Sequence, residues 1–237
     1  MQPPSVQDPS KRGRFPERVP EALILDFDGT LVDTETPALE SVVRIWDAHG
    51  ATLPMDWWLE GMGTDRKGSW IEELERVIGR PLDRVAVMEQ RRMVKDEVTD
   101  LNPLLPGVVE LLDEARRLGV ALAVASSSAH DWVDRHLTRL GVFDRFDTIC
   151  CRDDVGGVAK PSPDVYLLAL ERLGISAATS AAIEDSPHGM AAARAAGLRC
   201  GVVPNPLVRE LDFTGAHVVL DDLAELAPAQ LLALLAT

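Results

Sequence analysis

Residues 22–35 read ALILDFDGTLVDTE, an apolar run that leads straight into Asp26, Asp28 and Gly29. A short apolar run that ends in turn residues reads as a buried strand. Acids at its mouth call for a polar crevice, because their desolvation must be compensated. In an extended chain residues i and i+2 point the same way, so Asp26 and Asp28 are expected to converge on one spot. Gly29 lets the backbone bend tightly, and Thr30 opens a helix-compatible segment. The same letters also fit a strand that closes in a hairpin turn, for which Asp-Gly is a common signal. The rest of the chain separates the two.

Downstream of this stretch comes a helical region. In ALESVVRIWDAHG, Leu39, Val42, Val43 and Trp46 recur at helical spacing before Gly50. SWIEELERVIG repeats the pattern with Trp70, Ile71, Leu74, Val77 and Ile78, and a more polar helix is expected from Asp83 to Thr99. Trp46, Trp57, Trp58 and Trp70 all fall here, which suggests a small helical unit with its own core. After Pro106-Gly107 strands and helices alternate: VVELLDEARRLG, VALAVASSS, HDWVDRHLTRLG, FDTICC, SPDVYLLALERLG, SAAIED and SPHGMAAARAAG. Strands follow near Cys200–Val203 and Val218–Leu220, then a last helix in DDLAELAPAQLLALL, interrupted at Pro228. This alternation predicts an α/β fold, a doubly wound parallel sheet covered on both faces. The expected organisation is a tail over 1–20, a catalytic core over 21–35 and 105–237, and an inserted all-helical unit over 36–104.

The chain has 237 residues and a formal charge of −14, which argues against non-specific binding to nucleic acid or anionic membranes. An acidic protein still accepts an anionic substrate where a metal ion and a few placed cations reverse the sign locally. Cys150, Cys151 and Cys200 form neither a CxxC pair nor a zinc pattern, so a reducing cytoplasm is expected. The first twenty residues are rich in proline and polar groups and lack the apolar stretch of a secretory signal. A small-molecule partner and a monomer or weak homodimer are expected.

In a doubly wound sheet, ligands bind at the carboxyl ends of the strands. Read in order, those ends and the loops beside them supply Asp26 and Asp28, then Ser126 in ASSS, Lys160 in AKPSPD, and Glu184 and Asp185 in IEDSPHG. Each has a plainer alternative. Ser126 could be an N-cap, Lys160 a solvated surface charge, and Glu184 and Asp185 caps for the next helix. Their joint placement favours a site for phosphate and magnesium, an ion that takes hard oxygen ligands.

With DFDGTLVDTE, ASSS, AKPSPDVY and IEDSPHGMAAARAAG as its four motifs, the chain resembles the haloacid dehalogenase superfamily of phosphotransferases from Leu23 to about Pro204. The helical insertion looks like the α-helical cap of the β-phosphoglucomutase-like branch. The resemblance implies a magnesium-dependent phosphatase that hydrolyses a small phosphorylated metabolite through an aspartyl-phosphate. It implies Asp26 as nucleophile and Asp28 as general acid and then base. It implies magnesium held by Asp26, the main-chain carbonyl of Asp28 and Asp185, with Glu184 close by, and phosphoryl oxygens held by Ser126 and Lys160.

Departures narrow the activity. Dehalogenases lack the second acid that Asp28 supplies. The mutase has polar groups where Ala38, Met62 and Ala129 align, which favours hydrolysis over the runner-up mutase. Within GMGTDRKG, Met62 and Arg66 are expected to face the distal part of the substrate. A receiver-like phospho-acceptor module shares the acid, hydroxyl and lysine but needs neither Asp28 nor a lid. His188 could line the site or be an ordinary surface histidine. The tryptophans of the helical unit are expected to pack, and Cys150 and Cys151 to be inert.

Overall fold

A computed structural model describes residues 18–61 and 69–236. The expectations for the tail over 1–17 and for Met62 and Arg66 lie outside the described residues. Six strands form one sheet: β1 Ala22–Leu25, β2 Ala121–Ala125, β3 Thr148–Cys150, β4 Ser180–Glu184, β5 Arg199–Val202 and β6 Val218–Val219. Their order is β3-β2-β1-β4-β5-β6 and every pairing is parallel. Leu25 stands beside Val124 on one side and Ile183 on the other. The chain winds outward from β1 to β3, then returns to the far side of β1. Strand order therefore reverses between β1 and β4, which opens a crevice at their carboxyl ends.

Between β1 and β2 lie α1 Glu35–Ala48, α2 Met55–Gly61, α3 Trp70–Ile78 and α4 Arg84–Thr99. Beyond them come α5 Val108–Arg117, α6 His130–Arg139, α7 Asp164–Leu173, α8 Pro187–Ala195 and α9 Pro228–Ala236. Alternate strand residues serve opposite faces. Leu23, Leu25, Leu122, Val124 and Ile183 pack with apolar residues of α5, α6 and α9. Ile24, Ala123, Ala125 and Ala182 pack with those of α7 and α8. Burial on both faces is why these strands are short apolar runs rather than alternating ones. The first four helices gather around Val42, Ile45, Trp46, Ile71, Leu74 and Val87, a third and separate core against which Trp57, Trp58 and Trp70 lean. The tryptophans pack, as expected.

Three local readings change. The helix α2 was not anticipated, since its seven residues are too few to display a helical period. Pro228 starts α9 rather than interrupting a longer helix, a position where its missing N–H costs nothing. Thr30 does not begin a helix. The first helix starts at Glu35, where Asp33 Oδ1 accepts the N–H groups of Glu35 and Thr36 at 3.2 and 3.0 Å.

Candidate active site

The sheet's hydrogen bonding runs one residue past β1, with Asp26 N donating to Ile183 O at 3.0 Å. The chain then turns back, and Leu31 N reaches Phe27 O at 3.0 Å while Gly29 N reaches Val32 O at 2.8 Å. Gly29 has φ +79°, and a Cβ there would stand 2.0 Å from Asp185 Oδ2. Glycine thus serves both the left-handed turn and the close approach of an acid from the next strand. Because β1 ends at Leu25, Asp26 and Asp28 both lie past the strand. Their carboxylates take different hydrogen-bond partners, while Asp28 stays near enough for its charge to act on Asp26.

Asp26 turns toward Lys160 and β4. Lys160 Nζ is 2.5 Å from Asp26 Oδ1 and 2.6 Å from Glu184 Oε1, and its side chain is only 6% exposed. It is therefore no surface charge. The Tyr166 hydroxyl donates to the same Glu184 oxygen at 2.5 Å. Asp26, Glu184 and Asp185, all buried, each offer an oxygen within 4.8 Å of the others. Burial pushes the Asp26 pKa up to about 8 against the pull of Lys160, with Glu184 and Asp28 adding to the rise. Asp185 is raised for the same reason, burial first and then its neighbours Asp26 and Glu184. Burial works against the Lys160 ammonium, but the two carboxylates beside it outweigh that and raise its pKa.

The helix after β4 needs no help from these acids. Ser186 caps α8 by accepting from Gly189 N at 3.1 Å, which sets aside the capping alternative for Glu184 and Asp185. A Cβ on Gly189 would lie 1.9 Å from Glu184 Oε2, so the helix start presses directly on that carboxylate. Three buried carboxyl groups beside one ammonium form an oxygen-only set, and the raised pKa values of Asp26 and Asp185 mark negative charge that lacks a partner. Such a set suits a hard divalent cation like magnesium. The Asp28 side chain is not part of it, so a metal contact from that residue rests on its main-chain carbonyl.

Asp28 takes its own set of donors. Its Oδ2 accepts from Ser128 Oγ at 2.6 Å and its Oδ1 from Trp132 Nε1 at 2.9 Å. Ser126 is fully buried; its Oγ accepts from Ser128 N at 3.0 Å and lies 3.5 Å from Asp28 Oδ2. It sits in a local serine turn, not at a helix cap, since α6 begins at His130. Sequence reasoning missed Ser128, Trp132 and Tyr166 as site residues. Two signals were present: Ser128 is the third serine of ASSS, and Tyr166 is the chain's single tyrosine, inside the third motif.

From the helical unit, α1 and α4 bring Glu35, Arg91 and Lys95 toward the same rim. Burial raises the Glu35 pKa, opposed by Lys95 and Arg91 and reinforced by Asp28 and Asp33. His188 is half-buried in the first turn of α8. Cys150, Cys151 and Cys200 are buried and free, and burial pushes all three thiols up, in line with the inertness expected of Cys150 and Cys151. No helix among the described residues is long and apolar enough to cross a membrane.

Residues 20–197 match the model of the haloacid dehalogenase-like hydrolases. The putative phosphatase YhcW of Bacillus subtilis is 40% identical over 212 residues, 90% of this chain and 96% of that protein. The structure of a CbbY mutant from Rhodobacter sphaeroides in complex with xylulose 1,5-bisphosphate superposes with a TM-score of 0.69 at 31% identity, covering 87% of this chain and 96% of that one. A putative β-phosphoglucomutase from Thermotoga maritima reaches a TM-score of 0.73 at 27% identity, covering 90% and 98%. The chain belongs to the haloacid dehalogenase-like hydrolase family.

Proposed function

We propose that this hydrolase is a magnesium-dependent phosphatase that removes phosphate from a small phosphorylated carbohydrate through an aspartyl-phosphate on Asp26. The observation that carries the reading is the buried group of Asp26, Glu184 and Asp185 around Lys160, with Asp28 beside it on separate donors. Asp26 attacks phosphorus and the bond from phosphorus to the ester oxygen breaks. Asp28 gives its proton to the departing oxygen. Asp28 then takes a proton from water, which displaces phosphate and frees Asp26. Of the three N–H donors of Lys160, two are engaged by Asp26 and Glu184, which leaves one for a phosphoryl oxygen. Ser126 offers a hydroxyl beside Asp28. Magnesium, when bound, would be held by Asp26, Asp185 and the Asp28 carbonyl with Glu184 behind, and would supply the positive charge that phosphoryl transfer requires.

The carbohydrate class rests on the xylulose bisphosphate held by the CbbY relative and on polar groups of the helical unit at the rim. This unit acts as the cap, with Met62 and Arg66 as readers of the distal part of the substrate. Hydrolysis is favoured over isomerisation because Ala38, Met62 and Ala129 bring no polar side chain where the resembled mutase has one. Free buried cysteines suit a reducing cytoplasm. The test is phosphate release from a panel of phosphorylated metabolites by metal-stripped protein with and without added magnesium. Asp26→Asn should abolish turnover, and acid-quenched wild type should carry one phosphoryl group on the peptide that contains Asp26. Turnover without metal, or near-normal turnover in Asp26→Asn, would refute the reading.

A further inference from the structure

Asp28 is held in part by Trp132, a residue outside the four motifs. Both of its oxygens accept hydrogen bonds from the segment that follows β2, Oδ2 from Ser128 and Oδ1 from the indole of Trp132. A serine hydroxyl rotates freely, whereas an indole N–H points where its ring is packed. The Trp132 ring is packed from several sides. His136, one turn further along α6, meets it edge-on at 4.3 Å between centroids. His136 also packs at 6.1 Å on Phe27, the residue between the two aspartates. Lys95 Nζ from α4 of the helical unit lies over the indole face at 4.4 Å, and the Arg135 guanidinium is at 5.4 Å. A ring fixed this way has one polar atom, and that atom is spent on Asp28.

We propose that Trp132 is a positioning residue for Asp28, with its indole N–H orienting the carboxylate that transfers the proton and Lys95 of the helical unit holding the indole in place. The proposal rests on the reading of Asp28 as general acid and base. It makes the contact between core and helical unit part of the proton-transfer geometry, because α4 supplies the cation that covers the ring. A purely structural tryptophan would support the fold equally for every substrate. A positioning one matters most when the leaving oxygen needs its proton.

The test compares phenyl phosphate with p-nitrophenyl phosphate. The two are similar in size, but only the first has a leaving group that depends strongly on acid assistance. Phosphoenzyme formation is followed by rapid quench in single turnover, which separates this step from the later attack of water. Trp132→Phe keeps a ring against His136 and Lys95 but removes the donor. It should slow phosphoenzyme formation about tenfold with phenyl phosphate and about twofold or less with p-nitrophenyl phosphate, with apparent substrate affinity little changed. Lys95→Met should shift both rates the same way by a smaller factor, about threefold for phenyl phosphate. Equal losses on both esters, no loss, or a gain in rate for Trp132→Phe would overturn the proposal; a gain would mean that the indole parks Asp28 away from the phosphoryl group. An unchanged Lys95→Met would remove Lys95 from it. Asp28→Asn is measured alongside. If it shows no preference between the two esters, the acid/base reading itself fails. If it shows the preference and Trp132→Phe does not, only the present inference falls. Should Trp132→Phe not fold, a benzothiophene analogue incorporated at position 132 removes the N–H while keeping the bicyclic shape, and the same outcomes apply.

Discussion

His136 ties the protein's acid sensitivity to the floor of the site. Its ring is fully buried between Trp132 and Phe27. Arg139 Nε donates to Nδ1 at 3.3 Å, and Arg135 Nη2 is 3.0 Å from Nε2. Burial first, then the two guanidinium groups, lower its pKa from 6.5 to about 4, with Asp100 and Asp28 pulling weakly the other way. The folded protein therefore refuses a proton that the unfolded chain accepts. Stability from this residue is fully present above pH 6.5 and is lost as pH falls from there toward about 4, with no further loss below. Each tenfold change in proton affinity is worth about 1.4 kcal/mol, so the whole displacement is about 3 kcal/mol, of which about 2 kcal/mol falls between pH ~7.5 and pH ~5. The perturbation is His136→Phe, which preserves the ring contacts and cannot titrate. Urea unfolding of metal-free wild type and variant at the two pH values yields a difference of differences in which the shared carboxylates cancel. The wild type should lose about 2 kcal/mol more than the variant on acidification. Equal losses in the two proteins would show that His136 titrates normally, and the burial argument would fail.

Further expectations follow from the acidic group. Lys160→Met should cost about 3–5 kcal/mol in urea unfolding of the metal-free protein, because buried carboxylates lose their partner; a cost near zero would contradict the pairing. Gly29→Ala forces a left-handed alanine, a strain of about 1–2 kcal/mol, and displaces Asp185. Melting temperature should fall and the magnesium concentration for half-maximal activity should rise, and an unchanged magnesium requirement would refute the close-approach argument. Calcium should bind in place of magnesium and inhibit, because it takes a larger and looser oxygen shell; calcium that sustains full turnover would contradict this. Asp28→Asn should lower kcat by about 10²- to 10⁴-fold, the usual worth of general acid–base catalysis, with both half-reactions slowed in rapid quench.

The architecture was legible because burial writes itself into local pattern. Strands covered on both faces need uninterrupted apolar runs such as ALIL and AAI, and helices on those faces need the spacing seen in VVELLDEARR. Where that pattern is too short, as in the seven residues of α2, or where proline carries either of two meanings, as at Pro228, the reading failed. The acids of the site were also legible, because a charge at the end of an apolar run is a local anomaly, whereas Ser126 and Lys160 stood out only through their order among the strand ends and loops.

What each of these groups touches was not local information. Lys160 meets Asp26 across 134 residues, and Trp132 meets Asp28 across 104. The sequence by itself determined that a parallel sheet forms and that polar groups collect at its carboxyl edge. Only the tertiary structure decided that β4 lies beside β1, so that Glu184 and Asp185 close on Asp26 while Asp28 turns to α6. The physical reason is that periodicity encodes how deeply a residue is buried, whereas its partner depends on strand order and on where the chain bends once β1 has ended at Leu25.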